Sequence, residues 1–288
     1  MIVTITDAIK KFPKRKPDSH KGDFGHVLVV AGSAGYTGAA YLTSQAAALS
    51  GAGLVTLAAG RSIYDIMAAK LNEVMVKPFF ETRDFSLSLL AEKELLIFSE
   101  KISVMAIGPG ISQNKETQHL VRNFITKLGK PIVLDADGIN AVVGHTDVFK
   151  SAKAPIVITP HPGEMARLIG KDVSEVQSNR KNIALEAANL YNTVLVLKGH
   201  NTIVAAPNGD LYENRTGNPG MATGGTGDVL TGMIAGFTAQ GLDLFTASVL
   251  GVYFHGLAGD AAAREKGVLS LLATDLLNKL PEVLKTLA

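Results

Sequence analysis

The sequence predicts an α/β fold with one mostly parallel sheet covered by helices on both faces. Two patterns carry that expectation. Apolar, β-branched runs are continuous rather than alternating, as strands buried on both sides must be, and helical stretches lie between most of them. A third observation orients the sheet: glycine, proline and polar residues gather directly after the apolar runs. Right-handed crossovers place those strand ends along one edge, where ligands of open α/β sheets bind.

Taken in order, strands are expected over residues 26–31, 54–58, 104–107, 131–134, 156–159, 194–197, 202–205 and 211–213. Helices are expected over 39–50, 117–128, 162–168, 176–191, 229–240 and 244–266, with a last one near 273–287. The first strand runs into Gly32-Ser-Ala-Gly35-Tyr-Thr-Gly38, and 104–107 ends in Gly108-Pro-Gly110. The next three end in Asp135-Ala-Asp137-Gly138-Ile-Asn140, Pro160-His161-Pro162-Gly163-Glu164 and Lys198-Gly199-His200-Asn201-Thr202. Each tip alone is an ordinary turn; five on one edge outline a site.

At 288 residues the chain has length for two domains at about 150 residues each, yet no linker-like stretch divides it, so residues 1–288 read as one domain. Hydrophobic content of 47% and charged content of 19% describe a globular chain with a large core. A net charge of +2 gives no support for nucleic-acid or membrane partners. With no cysteine there is no disulfide, thiolate metal site or cysteine nucleophile. The start, Met1 to Ile9, does not read as a signal peptide, and no apolar run is long enough to span a bilayer; a cytoplasmic location is the expectation.

The most informative stretch is Gly217-Asn-Pro-Gly220-Met-Ala-Thr-Gly224-Gly225-Thr-Gly227-Asp228, followed by the apolar helical pattern Val229, Leu230, Met233, Ile234 and Phe237. Backbone N–H groups of such a loop, with the unpaired N–H groups and dipole of the helix after it, can wrap an anion. Asp228 falls in the first helical turn. Aspartate is favoured at helix N-termini whatever the chemistry, but beside a phosphate cradle a carboxylate is costly unless it acts. A base taking a proton from an attacking hydroxyl fits there.

Other motifs narrow the field. The first tip follows G-x-x-G-x-x-G spacing, not the dinucleotide fingerprint, and no acid closes the strand that follows; neither G-x-x-x-x-G-K-[ST] nor H-E-x-x-H occurs. Asp135 and Asp137, two apart at a strand end, can face one site if strand pairing persists; helix capping by Asp137 or Asn140 is the alternative. His161 between prolines is a rigid turn residue or a ligand contact, and Glu164 a first-turn acid or part of the same site. Lys198 can snorkel or reach a phosphate. His255, inside an apolar helix, reads as a satisfied core histidine rather than a catalyst, and His20 and Lys21 as a surface turn.

Together, His20-Lys-Gly-Asp, Gly108-Pro-Gly, Leu134-Asp-Ala-Asp, Thr159-Pro-His-Pro-Gly-Glu, Lys198-Gly and Gly224-Gly-Thr-Gly-Asp-Val-Leu closely resemble the ADP/ATP-dependent NAD(P)H-hydrate dehydratases. These are carbohydrate-kinase-like repair enzymes of the ribokinase-like superfamily, and the match runs in order from about residue 20 to residue 260. The resemblance implies a three-layer α/β/α sandwich, and the chain looks like the form without a fused epimerase domain. By similarity, Asp228 takes the proton from the ring hydroxyl of hydrated NADH or NADPH as it attacks the terminal phosphoryl of ADP or ATP. Gly225 and Gly227 belong to the amide cradle that holds the developing charge. Loss of phosphate then restores the cofactor.

Carried over by motif, Ala39, Gly110, His161 and Asp228 contact the hydrated nicotinamide nucleotide. Lys198, Gly199, His200, Asn201, Thr202 and Gly227 contact the adenine nucleotide, and Glu164 organises Mg²⁺ through water. Relatives assemble as tetramers, so a homo-oligomer is implied. His161 stands where vitamin kinases of the superfamily usually have Asn, which favours a dehydratase over a hydroxymethylpyrimidine or thiazole kinase, the rival within the fold. Gly138 and Ile139 replace a more typical Ala-Leu pair, a change neutral for the chemistry.

Overall fold

The computed structural model describes residues 1–287. Among these the strands are β1 (His26–Val30), β2 (Leu54–Gly60), β3 (Met75–Phe79), β4 (Val104–Ile107), β5 (Ile132–Leu134), β6 (Ile156–Ile158), β7 (Val194–Leu197), β8 (Ile203–Ala205) and β9 (Leu211–Glu213). They form one nine-stranded sheet in the order β3-β2-β1-β4-β5-β6-β7-β8-β9. All pairings from β3 through β7 are parallel, while β8 and β9 add antiparallel at one edge. The parallel strands therefore deliver their carboxyl ends to a single rim.

Successive side chains of a strand face opposite sides, and the burial follows that rule. Val27 and Val29 belong to one core and Leu28 and Val30 to the other, every one of them essentially inaccessible. The first core is completed by helices Thr37–Leu49, Thr226–Ala239, Leu244–Lys266 and Ala273–Leu284, the second mainly by Lys115–Lys127, Pro162–Ile169 and Arg180–Tyr191. Helices Thr37–Leu49 and Thr226–Ala239 pack with almost no space between backbones. A Cβ on Gly232 would sit 2.2 Å from Thr43 O, and one on Gly236 2.7 Å from Ala47 O.

The expected parallel sheet between two helical layers is present, and all eight expected strands are found. The differences have local causes. Strand β3 was not expected, because Met75-Val-Lys-Pro-Phe79 breaks its apolar run with Lys77 and Pro78; both are tolerated because β3 is an edge strand. Helix 176–191 is two helices, Val173–Ser178 and Arg180–Tyr191, separated at Asn179 with φ −133° and ψ 39°. The final helix ends at Leu284 and passes into a 3₁₀ turn, Lys285–Leu287. Short helices Ile5–Lys10, Tyr64–Lys70 and Glu92–Ser99 carry too few turns to register as periodic patterns. Among the described residues no helix is long and apolar enough to cross a membrane.

Candidate active site

At the carboxyl rim the chain turns sharply where the sequence placed its polar tips. Gly225 caps helix Thr226–Ala239 with φ +92°, a left-handed conformation that favours glycine, and any Cβ there would meet Leu42 Cδ1 at 2.5 Å. Gly224 differs: it has neither a left-handed φ nor any neighbour within 4 Å of an added Cβ. Nothing within the chain demands glycine there, so the open space belongs to whatever the loop faces. Thr226 Oγ1 donates to Met221 O and Thr223 O, both at 3.1 Å, closing the loop onto the helix start.

Asp228 follows in the first turn, partly shielded, and among the described residues nothing hydrogen-bonds its carboxylate. Burial is the main influence on it. The carboxylates of Asp135, Asp137 and Glu164 act in the same direction and Lys198 only partly opposes them, so its pKa is pushed up to about 7. A carboxyl poised there can accept a proton at neutral pH.

Below it lies an ion pair. Lys198 Nζ donates to Asp135 Oδ1 at 2.6 Å and stands 3.8 Å from Glu164 Oε2. Asp135 Oδ2 accepts from Thr231 Oγ1 at 2.8 Å, one helical turn beyond Asp228. Burial opposes the charge on Lys198, but Asp135 and Glu164 outweigh it and hold the ammonium above its ordinary value. A Cβ on Gly227 would come within 3.3 Å of Lys198 Nζ, so the glycine loop meets the tip of β7 directly.

Asp135 and Asp137, expected to face one site if strand pairing persists, both bear on Asp228 but take different partners. Strand pairing stops at Leu134, and Ala136 takes φ +50° and ψ −119°, a rarely occupied conformation that turns the two acids apart. Asp135 goes to Lys198, whereas Asp137 Oδ2 accepts the amide of Ser112 at 3.0 Å. Asp137 is the first residue of a short helix rather than its cap, which is Ala136.

His161 is both a turn residue and a rim residue. Its Nδ1 accepts the amides of Gly163 at 3.0 Å and Glu164 at 3.3 Å, so the neutral ring carries its proton on Nε2, 3.5 Å from Glu164 Oε1. Burial lowers its pKa, Glu164 partly restores it, and Lys198 and Arg167 depress it further. Glu164 Oε2 accepts the backbone N–H of His161 at 2.8 Å, a capping box that fixes the acid at the site.

The remaining expected residues form two ends. Ala39 Cβ lies 3.0 Å from where a Cβ on Gly110 would stand, and Ser33 Oγ donates to Gly110 O at 2.8 Å. At the other end Gly199, at φ +132°, and Asn201, at φ +53°, bend Lys198–Thr202 into a tight turn closed by Thr202 Oγ1 on Gly199 O at 2.9 Å. His200 is exposed on that turn. Arg180 and Thr231 escaped sequence reasoning, whereas His255 is the satisfied core histidine it predicts. Arg180 donates to Leu197 O at 2.9 Å and to Lys198 O beneath the turn. His255 Nε2 lies 2.8 Å from Thr226 O, so this buried histidine is satisfied within the core, and its partner is the first residue of the helix after the glycine loop. Thr231 was signalled solely by its spacing of three from Asp228.

A mostly parallel sheet between helical layers, with a glycine loop, a helix N-terminus and an acid on its carboxyl rim, is the ribokinase-like α/β architecture. The NAD(P)H-hydrate dehydratase family model matches residues 27–282, and the chain belongs to that family. It is 47% identical over 286 residues to a bifunctional NAD(P)H-hydrate repair enzyme of Moorella thermoacetica, covering 99% of this chain and 54% of that one. It thus spans about half the length of the bifunctional relatives it matches. An ADP-dependent (S)-NAD(P)H-hydrate dehydratase of Bacillus subtilis is 36% identical over 95% of this chain and 94% of its own. The crystal structure of the ADP/ATP-dependent dehydratase from B. subtilis, co-crystallised with ATP/Mg²⁺, superposes with TM-score 0.86 at 33% identity, over 99% of this chain and 98% of that one. A hydroxyethylthiazole kinase of Pyrococcus horikoshii, at 17% identity and TM-score 0.64 over 98% and 96% of the two chains, shares the fold alone.

Proposed function

We propose that the protein restores the S-form of hydrated NADH or NADPH to the reduced dinucleotide, using ADP as phosphoryl donor. The observation that carries this reading is Asp228: a free carboxylate poised near neutrality, at the mouth of a loop whose amides can cradle a phosphate. Asp228 accepts the proton of the ring hydroxyl while that oxygen forms a bond to the terminal phosphorus and the bridging P–O bond breaks, releasing AMP. Amides around Gly225 and Gly227 face the charge that develops on the phosphoryl oxygens. The C–O bond of the phosphorylated ring then breaks, pushed by the ring nitrogen's lone pair. Loss of a proton from the adjacent ring carbon completes the double bond.

The turn Lys198–Thr202 and Gly227 hold the adenine nucleotide in this reading, and Ala39, Gly110 and His161 hold the nicotinamide half. Among the described residues no three metal-ligating side chains converge. Mg²⁺ bound chiefly by phosphate oxygens and water needs no such cage. Glu164 fits an outer role, since its Oε2 is engaged by His161 N–H while Oε1 has only the His161 ring at 3.5 Å. When bound, Mg²⁺ would neutralise phosphate charge there. A cytoplasmic homo-oligomer, a tetramer by the resemblance of its motifs, completes this reading.

The test is recovery of the near-ultraviolet absorbance of the reduced nicotinamide from hydrated NADH and hydrated NADPH, with ADP and ATP compared side by side. Inorganic phosphate should accumulate with the dinucleotide. A stable phosphorylated small molecule in its place would assign the protein to the kinases of the same fold.

A further inference from the structure

The loop after edge strand β3 is pinned by more hydrogen bonds than a surface connection needs. The N–H of Thr82 donates to Ser86 O at 2.7 Å and that of Phe85 to Thr82 O at 3.1 Å. Thr82 Oγ1 accepts the amides of Asp84 and Ser86, both at 3.3 Å. Hydroxyls then run from Thr82 to Ser86 at 3.0 Å and from Ser86 to Thr117 at 2.9 Å, ending on Leu87 O at 2.7 Å. Asn114 Nδ2 ties down Asp84 Oδ2 at 2.7 Å. So restrained, Phe85 is kept at φ +60°, an uncommon conformation for an aromatic residue, with 51% of its surface exposed.

This loop is docked on the site. Phe85 O accepts the N–H of Ala34 at 3.3 Å, in the glycine tip that carries Tyr36. Tyr36 is itself 58% exposed, and its Cβ lies 2.8 Å from where a Cβ on Gly110 would stand. Two solvent-facing aromatics thus border the Ala39–Gly110 end. That end lies at β1 and β4, across β5 and β6 from the turn after β7.

We infer that Tyr36 and Phe85 form a stacking platform for the adenine ring of the hydrated dinucleotide. The inference rests on the proposed function for the identity of the ligand. With the donor nucleotide on the β7 side and the reacting ring beside Asp228, the adenosine half of the substrate leaves the site on the β1 side, where the two rings stand. A flat base offers its face to an aromatic side chain whatever its hydrogen-bonding edge. A restrained backbone holds the ring ready without ordering it on binding.

Calorimetric titration with NADH and with reduced nicotinamide mononucleotide, ADP being kept saturating to fill the β7 turn, separates the two halves of the ligand. Wild type should bind NADH more tightly than the mononucleotide. Tyr36→Ala and Phe85→Ala should each weaken NADH binding roughly tenfold and leave mononucleotide and ADP affinities unchanged, while Tyr36→Phe and Phe85→Tyr keep wild-type affinity. Equal affinity of the wild type for both ligands would overturn the platform, as would an alanine variant that weakens both alike. Because the titration needs no turnover, an inert enzyme with the NADH advantage intact would sink the dehydratase reading and leave the platform standing.

Discussion

Lys198 Nζ and Asp135 Oδ1, 2.6 Å apart, join the tips of β7 and β5 beneath the glycine loop, and Asp135 is 1% exposed. Cutting one partner leaves the other as an uncompensated charge in the interior. Lys198→Met should therefore destabilise the fold by about 3–5 kcal/mol, and Lys198→Met combined with Asp135→Asn should recover much of that loss. Urea unfolding of both single variants and the double variant checks it; simple additivity would show that the pair is not coupled.

Asp228→Ala should retain nucleotide binding and lose turnover by about a thousandfold or more, the scale of a missing general base. Measuring ADP affinity and single-turnover rate on the same preparation separates the two quantities. An alanine variant repairing hydrated NADH near the wild-type rate would remove the proton-accepting role.

Because the base must be ionised, kcat/KM should rise with pH and level off above about 7, the value to which burial and neighbouring acids push Asp228. Asp135→Asn removes one of those neighbouring acids and should move the rising limb to lower pH. A limb that stays in place would mean that another group limits the rate.

The glycines of the loop should divide by physical cause. Gly225→Ala forces a Cβ into a left-handed residue and against Leu42 at 2.5 Å, so a stability loss of more than about 1 kcal/mol is expected. Gly224→Ala meets nothing within 4 Å and should leave the melting temperature nearly unchanged while raising KM for ADP. Thermal melts paired with ADP titrations distinguish the two; a Gly224 variant with wild-type ADP affinity would show that the nucleotide does not approach that backbone.

The parallel sheet was legible because buried strands such as Val27–Val30 have no reason to alternate, and the rim was legible because tight turns require glycine, proline or short polar residues. Strand β3 was hidden by Pro78 and Lys77, which only its edge position permits. Within the site, the separate fates of Asp135 and Asp137 hinge on the unusual φ and ψ of Ala136, a side chain with no sequence signal for such a bend. Arg180 stood on a helix expected to continue unbroken, so its place under the turn after β7 followed from a break that periodicity blurs. His255 was legible as a satisfied core histidine, although a helical context does not tell which carbonyl the ring reaches.

That histidine and Asp228 should oppose one another in the pH dependence of stability. Burial pulls His255 down to about 4, only partly offset by its hydrogen bond to Thr226 O. The unfolded chain, with an ordinary histidine near 6.5, therefore binds the proton first, and stability is lost as pH falls from about 6.5 towards 4. Asp228 has the reverse sign: raised to about 7 in the folded protein, it makes the native state bind the extra proton, so stability is lost as pH rises from about 4 to 7. Over the shared window the two contributions oppose one another, bounded at about 3 kcal/mol for His255 and about 4 kcal/mol for Asp228. Relative to wild type, His255→Gln should make the change in stability from pH 4.5 to pH 6.5 more negative, and Asp228→Asn should make it more positive. Urea unfolding at those two pH values, on wild type and both variants, checks it; a variant whose pH dependence matches the wild type's would mean that the group it replaces is not shifted as its surroundings require.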